Sequence, residues 1–161
     1  MRISLHQMTT TLDVESNTAI VVAEIERAAA AEAELACFPE AVNVLCGDQQ
    51  ALRAAIPREH DCLVLAQARI AARRFGVSVN LGSVLLRLDD GVLVNRSCLI
   101  GARGEVLATY DKVHLFDAQL DDDSELESAL YRPGDAAVLV RTPSANLGLT
   151  IFCGWPPHCK R

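Results

Sequence analysis

No stretch of the chain approaches the roughly eighteen uninterrupted apolar residues that a membrane span needs, and the amino terminus, MRISLHQMTTTLDVESN, lacks the apolar core of a secretory signal. A cytoplasmic protein with no membrane partner is expected. There is no basic block either: 15 lysines and arginines against 21 aspartates and glutamates give a formal charge of −6, with nothing to track a phosphate backbone, so nucleic acid is not an expected partner. The six cysteines (Cys37, Cys46, Cys62, Cys98, Cys153 and Cys159) lack the paired short spacings of a zinc site and the density of a disulfide scaffold, and most read as small buried hydrophobes. Cys153, His158 and Cys159 near the carboxyl end have no second pair of fitting spacing, and no metal is assigned to them. Internal repeats and low-complexity segments are also absent.

What is present is a chain of 161 residues, half of them apolar, which suffices for one domain with a sizeable core. Ile3 and Leu5 alternate in a first strand. Asp13 can then cap a helix with Glu15 and Ser16 in its first turn, and Val14, Val21, Val22, Ile25 and Ala29 fall on one stripe at helical period. ELACFPE reads as a short buried strand that stops at Pro39, which has no amide to continue a ladder. A second helix is predicted from about Asp61 to Phe75, with Leu63, Ala66 and Ile70 on its inner face, Arg69, Arg73 and Arg74 elsewhere, and Gly76 ending it. VSVNLGSVLL follows as a strand, and GVLVNRSCLIGARGEVLATYDKV as two strands joined at ARGE, where Gly104 supplies a positive φ. DAQLDDDSELESALYRPGD reads as a polar acidic connection, with Asp121 to Asp123 a solvated loop; AAVLVRTP and NLGLTIF give the last strands. Alternating strands and helices followed by hairpins imply an α/β or α+β layered sheet with helices on one face.

Three reactive groups stand where strands end: Glu40 in CFPEA, Lys112 in YDKVHLFD and Cys153 in GLTIFCGW. Taken singly, each has a plain reading, as a loop-entry charge, a surface partner of Asp111 and a core thiol. Together they supply what is needed to attack a carbon bonded to nitrogen. A thiolate is the nucleophile, a carboxylate takes its proton and later activates water, and an ammonium stabilises the oxyanion.

FPE, NRSCLIGARGEVLATYDKVHLFD, ESALYRPGD and LGLTI, in this order and at these distances, resemble the nitrilase superfamily of carbon-nitrogen hydrolases, close to its omega-amidase and deaminated-glutathione-amidase branch. The resemblance covers about Arg2 to Ile151. It implies the α-β-β-α sandwich fold, of which this chain carries the N-terminal part, and hydrolysis of a small carboxylate-bearing amide without metal or organic cofactor. It also implies that Glu40 is the general base, Lys112 the oxyanion stabiliser, and Glu127 a supporting glutamate that holds the lysine and the substrate. His114, between the apolar Val113 and Leu115, is read as packing or as a hydrogen-bonding support.

The resemblance stops at the thiol. The family pattern continues from a segment like GLTI directly into cysteine, an aromatic residue, aspartate, a variable residue and arginine. Here Phe152 occupies the cysteine position, Cys153 comes one residue late, and GWPPHCKR has neither the aspartate nor the arginine. Residues 1–151 are therefore read as the hydrolase portion and 152–161 as a divergent tail, left by a shifted frame or truncation, or else a genuine short variant whose bulge returns Cys153 to the site. By side-chain alternation Phe152 is expected to point into the site and Cys153 away from it. The rival to an impaired Cys-Glu-Lys amidase is a non-catalytic remnant that self-associates or binds intact relatives. A cysteine hydrolase of another kind, using His158 as its base, ranks last because two prolines intervene.

Overall fold

Asp13 opens the first helix as predicted, its carboxylate accepting the Ser16 amide at 2.9 Å. The computed structural model describes residues 1–120 and 123–152. Its elements run β1 (Ile3–Leu5), α1 (Val14–Ala30), β2 (Leu35–Cys37), α2 (Gln49–Ala55), α3 (Leu63–Phe75), β3 (Ser78–Arg87), β4 (Leu93–Ile100), β5 (Val106–Asp111), β6 (Asp117–Leu120), β7 (Asp123–Leu126), β8 (Val138–Arg141) and β9 (Asn146–Leu149). The first five strands form one sheet in sequence order, parallel from β1 to β3 and antiparallel from β3 to β5. Helices α1 and α3 cover one face, over a core that includes Val21, Ile25, Ala68, Val79, Leu81 and Val94. The other face buries Leu35, Leu99 and Tyr110 against Leu149 and Ile151, with the β8–β9 hairpin packed alongside. The result is the expected α/β layering. No helix of the described residues is long and apolar enough to cross a membrane.

The helical faces differ from the sequence reading. In α3 the buried residues are Val64, Leu65, Ala68, Ala71 and Ala72, whereas Ile70 is 58 % exposed and Ala66 is exposed. Residues 66, 70, 73 and 74 share one side at helical spacing, so burying Ile70 would bury two arginines with it. The alanine side packs against α1, where small residues permit close approach. In α1, Val21 and Ile25 are fully buried, and burial of each contributes about 1.5–3 kcal/mol. Asn17 and Thr18 are buried as well, whereas Val14, Val22 and Ala29 are only partly so. Asn17 satisfies its amide on the Thr11 and Asn43 carbonyls, and Thr18 donates to the Val14 carbonyl.

Helix α2 and the strands β6 and β7 were not predicted. Asp48 caps α2, accepting from the Gln50 and Ala51 amides. The supposed acidic connection contains the β6–β7 hairpin, in which Asp117 pairs with Leu126. Gly76 ends α3 in the left-handed region, and Gly104 (φ 83°) makes the β4–β5 turn. A Cβ on Gly104 would also lie 2.5 Å from the Arg69 carbonyl oxygen, so both backbone sign and space require glycine.

Strand β3 carries a register shift between Leu81 and Val84. Val79 and Leu81 face the helices, and so do Val84 and Leu86, which regular alternation would have put on the opposite side. The extra residue at Gly82–Ser83 resets the phase. It also opens room: a Cβ on Gly82 would collide with the Phe38 carbonyl oxygen and lie 2.5 Å from that of Pro39.

Candidate functional site

The segment that follows β2 lies along this irregular stretch of β3 and is fixed to it residue by residue. The Phe38 amide donates to Asn80 O, the Ser83 amide to Pro39 O, and the Val42 amide to Ser83 O. Ser83 Oγ accepts the Ala41 amide at 2.8 Å. The Asn43 side chain acts as a strand backbone would, donating to Leu85 O and accepting from Leu85 N, both at 2.8 Å. Ala41 adopts φ 54°, a left-handed conformation that costs an alanine about 1–2 kcal/mol and is held by these bonds. The sharp turn aims the Glu40 side chain across the sheet.

Lys112 follows the last residue of β5, and its amide donates to Asn95 O of β4 at 2.9 Å. The β6–β7 hairpin brings Glu127 back to the same place: the Glu127 amide donates to Phe116 O, and Glu127 Oε2 accepts the Phe116 amide at 2.7 Å. Lys112 Nζ then lies 2.9 Å from Glu40 Oε1, 3.0 Å from Glu127 Oε1 and 2.9 Å from Glu127 Oε2. The lysine side chain is 2 % exposed, while those of Glu40 and Glu127 are 37 % and 24 % exposed. The cation is thus sealed, and both carboxylates remain open to a small molecule. Burial alone would push the ammonium to lose its proton, but the hydrogen bonds and charges of Glu127 and Glu40 outweigh it, holding the group above the ordinary lysine value. It stays charged at neutral pH.

Above the carboxylates lies a cavity of about 250 Å³ lined by Glu40, Glu127, Asn95, Tyr131, Leu45 and Leu85. Burial, followed by the Glu127 and Glu40 charges, raises the Tyr131 phenol, so it too keeps its proton. A larger open groove of about 790 Å³ between α3 and the β4–β5 turn is lined by Arg69, Arg73, Arg74 and Arg103 and, among the described residues, holds neither thiol nor histidine. The paired carboxylates and sealed cation make the smaller cavity the candidate site.

Glu40, Lys112 and Glu127, singled out from the sequence, are therefore brought together. Cys153 lies outside the described residues, as do His158 and Cys159. His114 is exposed, contrary to the expectation of packing or support. Phe152, expected to point into the site, is 74 % exposed and does not line the cavity. Cys62 and Cys98 are buried as predicted, while Cys37 and Cys46 are partly exposed. Two residues escaped the sequence reading. Asn95 donates to Glu40 Oε1 at 2.6 Å, and Tyr131 supplies a phenol to the cavity wall. The signal for Asn95 was available: it is an amide in the otherwise apolar opening of β4, LVNRSCLI.

Residues 2–154 match the family model described as carbon-nitrogen hydrolase. The chain is 35 % identical over 89 residues to deaminated glutathione amidase of Yersinia enterocolitica, covering 53 % of this chain and 31 % of that protein. It is 28 % identical over 156 residues to the Mus musculus protein of the same name, covering 92 % and 48 % respectively. Among solved structures, an amidase from Nesterenkonia sp. superposes with a TM-score of 0.77 at 25 % identity, over 92 % of this chain and 54 % of that one. The same amidase has been solved as a cysteine-to-alanine mutant in complex with butyramide. The chain spans between about a third and a half of the length of these two curated relatives.

Proposed function

The chain belongs to the carbon-nitrogen hydrolase family, and from that premise we propose that it acts on the carbon-nitrogen bond of small amides, with Glu40 as general base, Lys112 as oxyanion stabiliser, Glu127 as support and Cys153 as nucleophile. The observation that carries the proposal is the charged, solvent-sealed ammonium of Lys112 fixed between two accessible carboxylates. Such an ammonium is a pre-oriented donor for an oxygen that gains negative charge, and it needs no reorganisation when that charge develops.

Glu40 takes the thiol proton as sulfur attacks the amide carbon. A carbon-sulfur bond forms, and the carbonyl π pair moves onto oxygen beside Lys112. The oxyanion collapses, the carbon-nitrogen bond breaks, and Glu40 returns its proton to the departing nitrogen, releasing ammonia and leaving a thioester. Water, deprotonated by Glu40, attacks the thioester; the carbon-sulfur bond breaks, and the acid and the thiol are released. Butyramide, bound by the Nesterenkonia amidase mutant, is the size of amide that a cavity of about 250 Å³ accommodates.

Turnover is slow in this reading, because Cys153 stands one residue beyond the position that the family resemblance gives the nucleophile, which Phe152 occupies. That same displacement favours the second reading, a non-catalytic chain that associates with relatives. Ammonia release from butyramide by the purified chain, with mass spectrometry for an acyl adduct, separates the two. Release above background that is lost in both Glu40→Gln and Cys153→Ala, with acyl mass on Cys153, is the expected result. Release unchanged by either substitution supports the non-catalytic reading.

A further inference from the structure

Asn95 is 2 % exposed and touches both main partners of the site. Its Nδ2 donates to Glu40 Oε1 at 2.6 Å, and its backbone oxygen accepts the Lys112 amide at 2.9 Å. Glu40 Oε1 therefore receives two donors, Asn95 Nδ2 and Lys112 Nζ, whereas Glu40 Oε2 accepts no hydrogen bond among the described residues. Two donors on one oxygen draw negative charge to it and leave the second oxygen as the free base. The other end of the Asn95 amide makes no such bond: Oδ1 is buried without a hydrogen-bond partner among the described residues. Flipping the amide would not relieve it, since Oδ1 would then face the Glu40 carboxylate, acceptor against acceptor. A buried acceptor with no partner destabilises the fold, so stability alone does not explain an asparagine here.

We propose that Asn95 is a positioning residue: it locks the Glu40 carboxylate on Lys112 through Oε1, so that Oε2 alone faces the cavity and performs the proton transfers. This rests on the amidase reading above, and it deepens that reading by assigning the reacting oxygen. Leucine has the branching of asparagine without its polar atoms, so Asn95→Leu removes both the bond to Glu40 and the orphaned oxygen. The main-chain bond from Lys112 is untouched. Glu40, partly exposed, regains a hydrogen bond from water.

The experiment compares crystal structures and thermal midpoints of the wild-type chain, Asn95→Leu and the smaller Asn95→Ala, together with kcat and KM for butyramide. The expected result has three parts. The Glu40 carboxylate leaves Lys112 or occupies more than one rotamer; the Asn95→Leu midpoint is unchanged or raised; and kcat falls on the order of tenfold or more with KM nearly constant, because a base displaced by an ångström transfers protons poorly. A Glu40 carboxylate unmoved in both variants overturns the proposal. So does an Asn95→Leu midpoint lowered by several degrees, which would make Asn95 a structural residue. A wild-type chain without turnover strikes the amidase reading alone, and the crystal and melting comparisons still decide the role of Asn95 in holding Glu40.

Discussion

Replacing Gly82 by alanine tests whether the irregularity in β3 is what admits the Glu40 segment. The new Cβ would collide with the Phe38 carbonyl oxygen and lie 2.5 Å from that of Pro39, and both are main-chain atoms that cannot rotate away. Overpacking of this kind costs about 1–3 kcal/mol. The segment must move off β3, stretching the bonds from Ser83 N to Pro39 O and from Ala41 N to Ser83 Oγ, each a net contribution of about 1 kcal/mol. The total is about 3–5 kcal/mol, which for a chain of this size lowers the thermal midpoint by roughly 6–20 °C. Differential scanning calorimetry reads it directly. Gly47→Ala is the control, because a Cβ there meets nothing within 4 Å and should change stability by less than about 0.5 kcal/mol. Equal midpoints for the two variants would refute the claim that close approach at Gly82 shapes the site.

Lys112→Met leaves two partly exposed carboxylates facing each other without their cation and should cost about 1.5–3 kcal/mol, seen as a lower urea midpoint; a variant as stable as wild type would show that the ion pairs are incidental. Stability should also fall as pH rises. Burial pushes the Cys98 thiol from 9.0 up to about 12, and Lys112 and Tyr131 are likewise raised, so above about pH 9 the unfolded chain releases protons that the folded chain keeps. These contributions are complete below the unfolded values and are lost on the alkaline side. Urea midpoints from pH 8 to 10.5 should decline, less steeply in Cys98→Val, and a flat wild-type profile contradicts the reasoning.

Strand and turn chemistry made much of the fold legible: Pro39 after a short strand, Gly76 after a helix and Gly104 in a hairpin all act where local rules put them. Glu40 and Lys112 were legible as reactive groups at strand ends and Glu127 through the family resemblance, although composition alone makes none of them more than a surface charge. What was not legible depended on packing partners. The inner face of α3 is made of alanines whose burial is decided by the proximity of α1, and hydrophobicity favours the larger Ile70 instead. Asn17, Asn43 and Ser83 look like surface residues until their hydrogen bonds to distant backbone are seen. The β6–β7 hairpin hides in an acidic composition because its pairing is main-chain.

Glu40 and Lys112 are 72 residues apart in the chain, whereas Ser83, which holds the turn after Glu40, comes earlier than the lysine. At about 5–20 residues per second, a ribosome takes roughly 4–14 s to pass from one member of the ion pair to the other. The two charges thus have an order of arrival. The carboxylate and the strand that orients it are made first, and the ammonium is delivered to a place already negative. Had the order been reversed, a lysine would have had to wait in the closing interior for its counter-charge. Glu127, 15 residues beyond the lysine, is made after it, so one carboxylate precedes the ammonium and the second follows to complete its compensation.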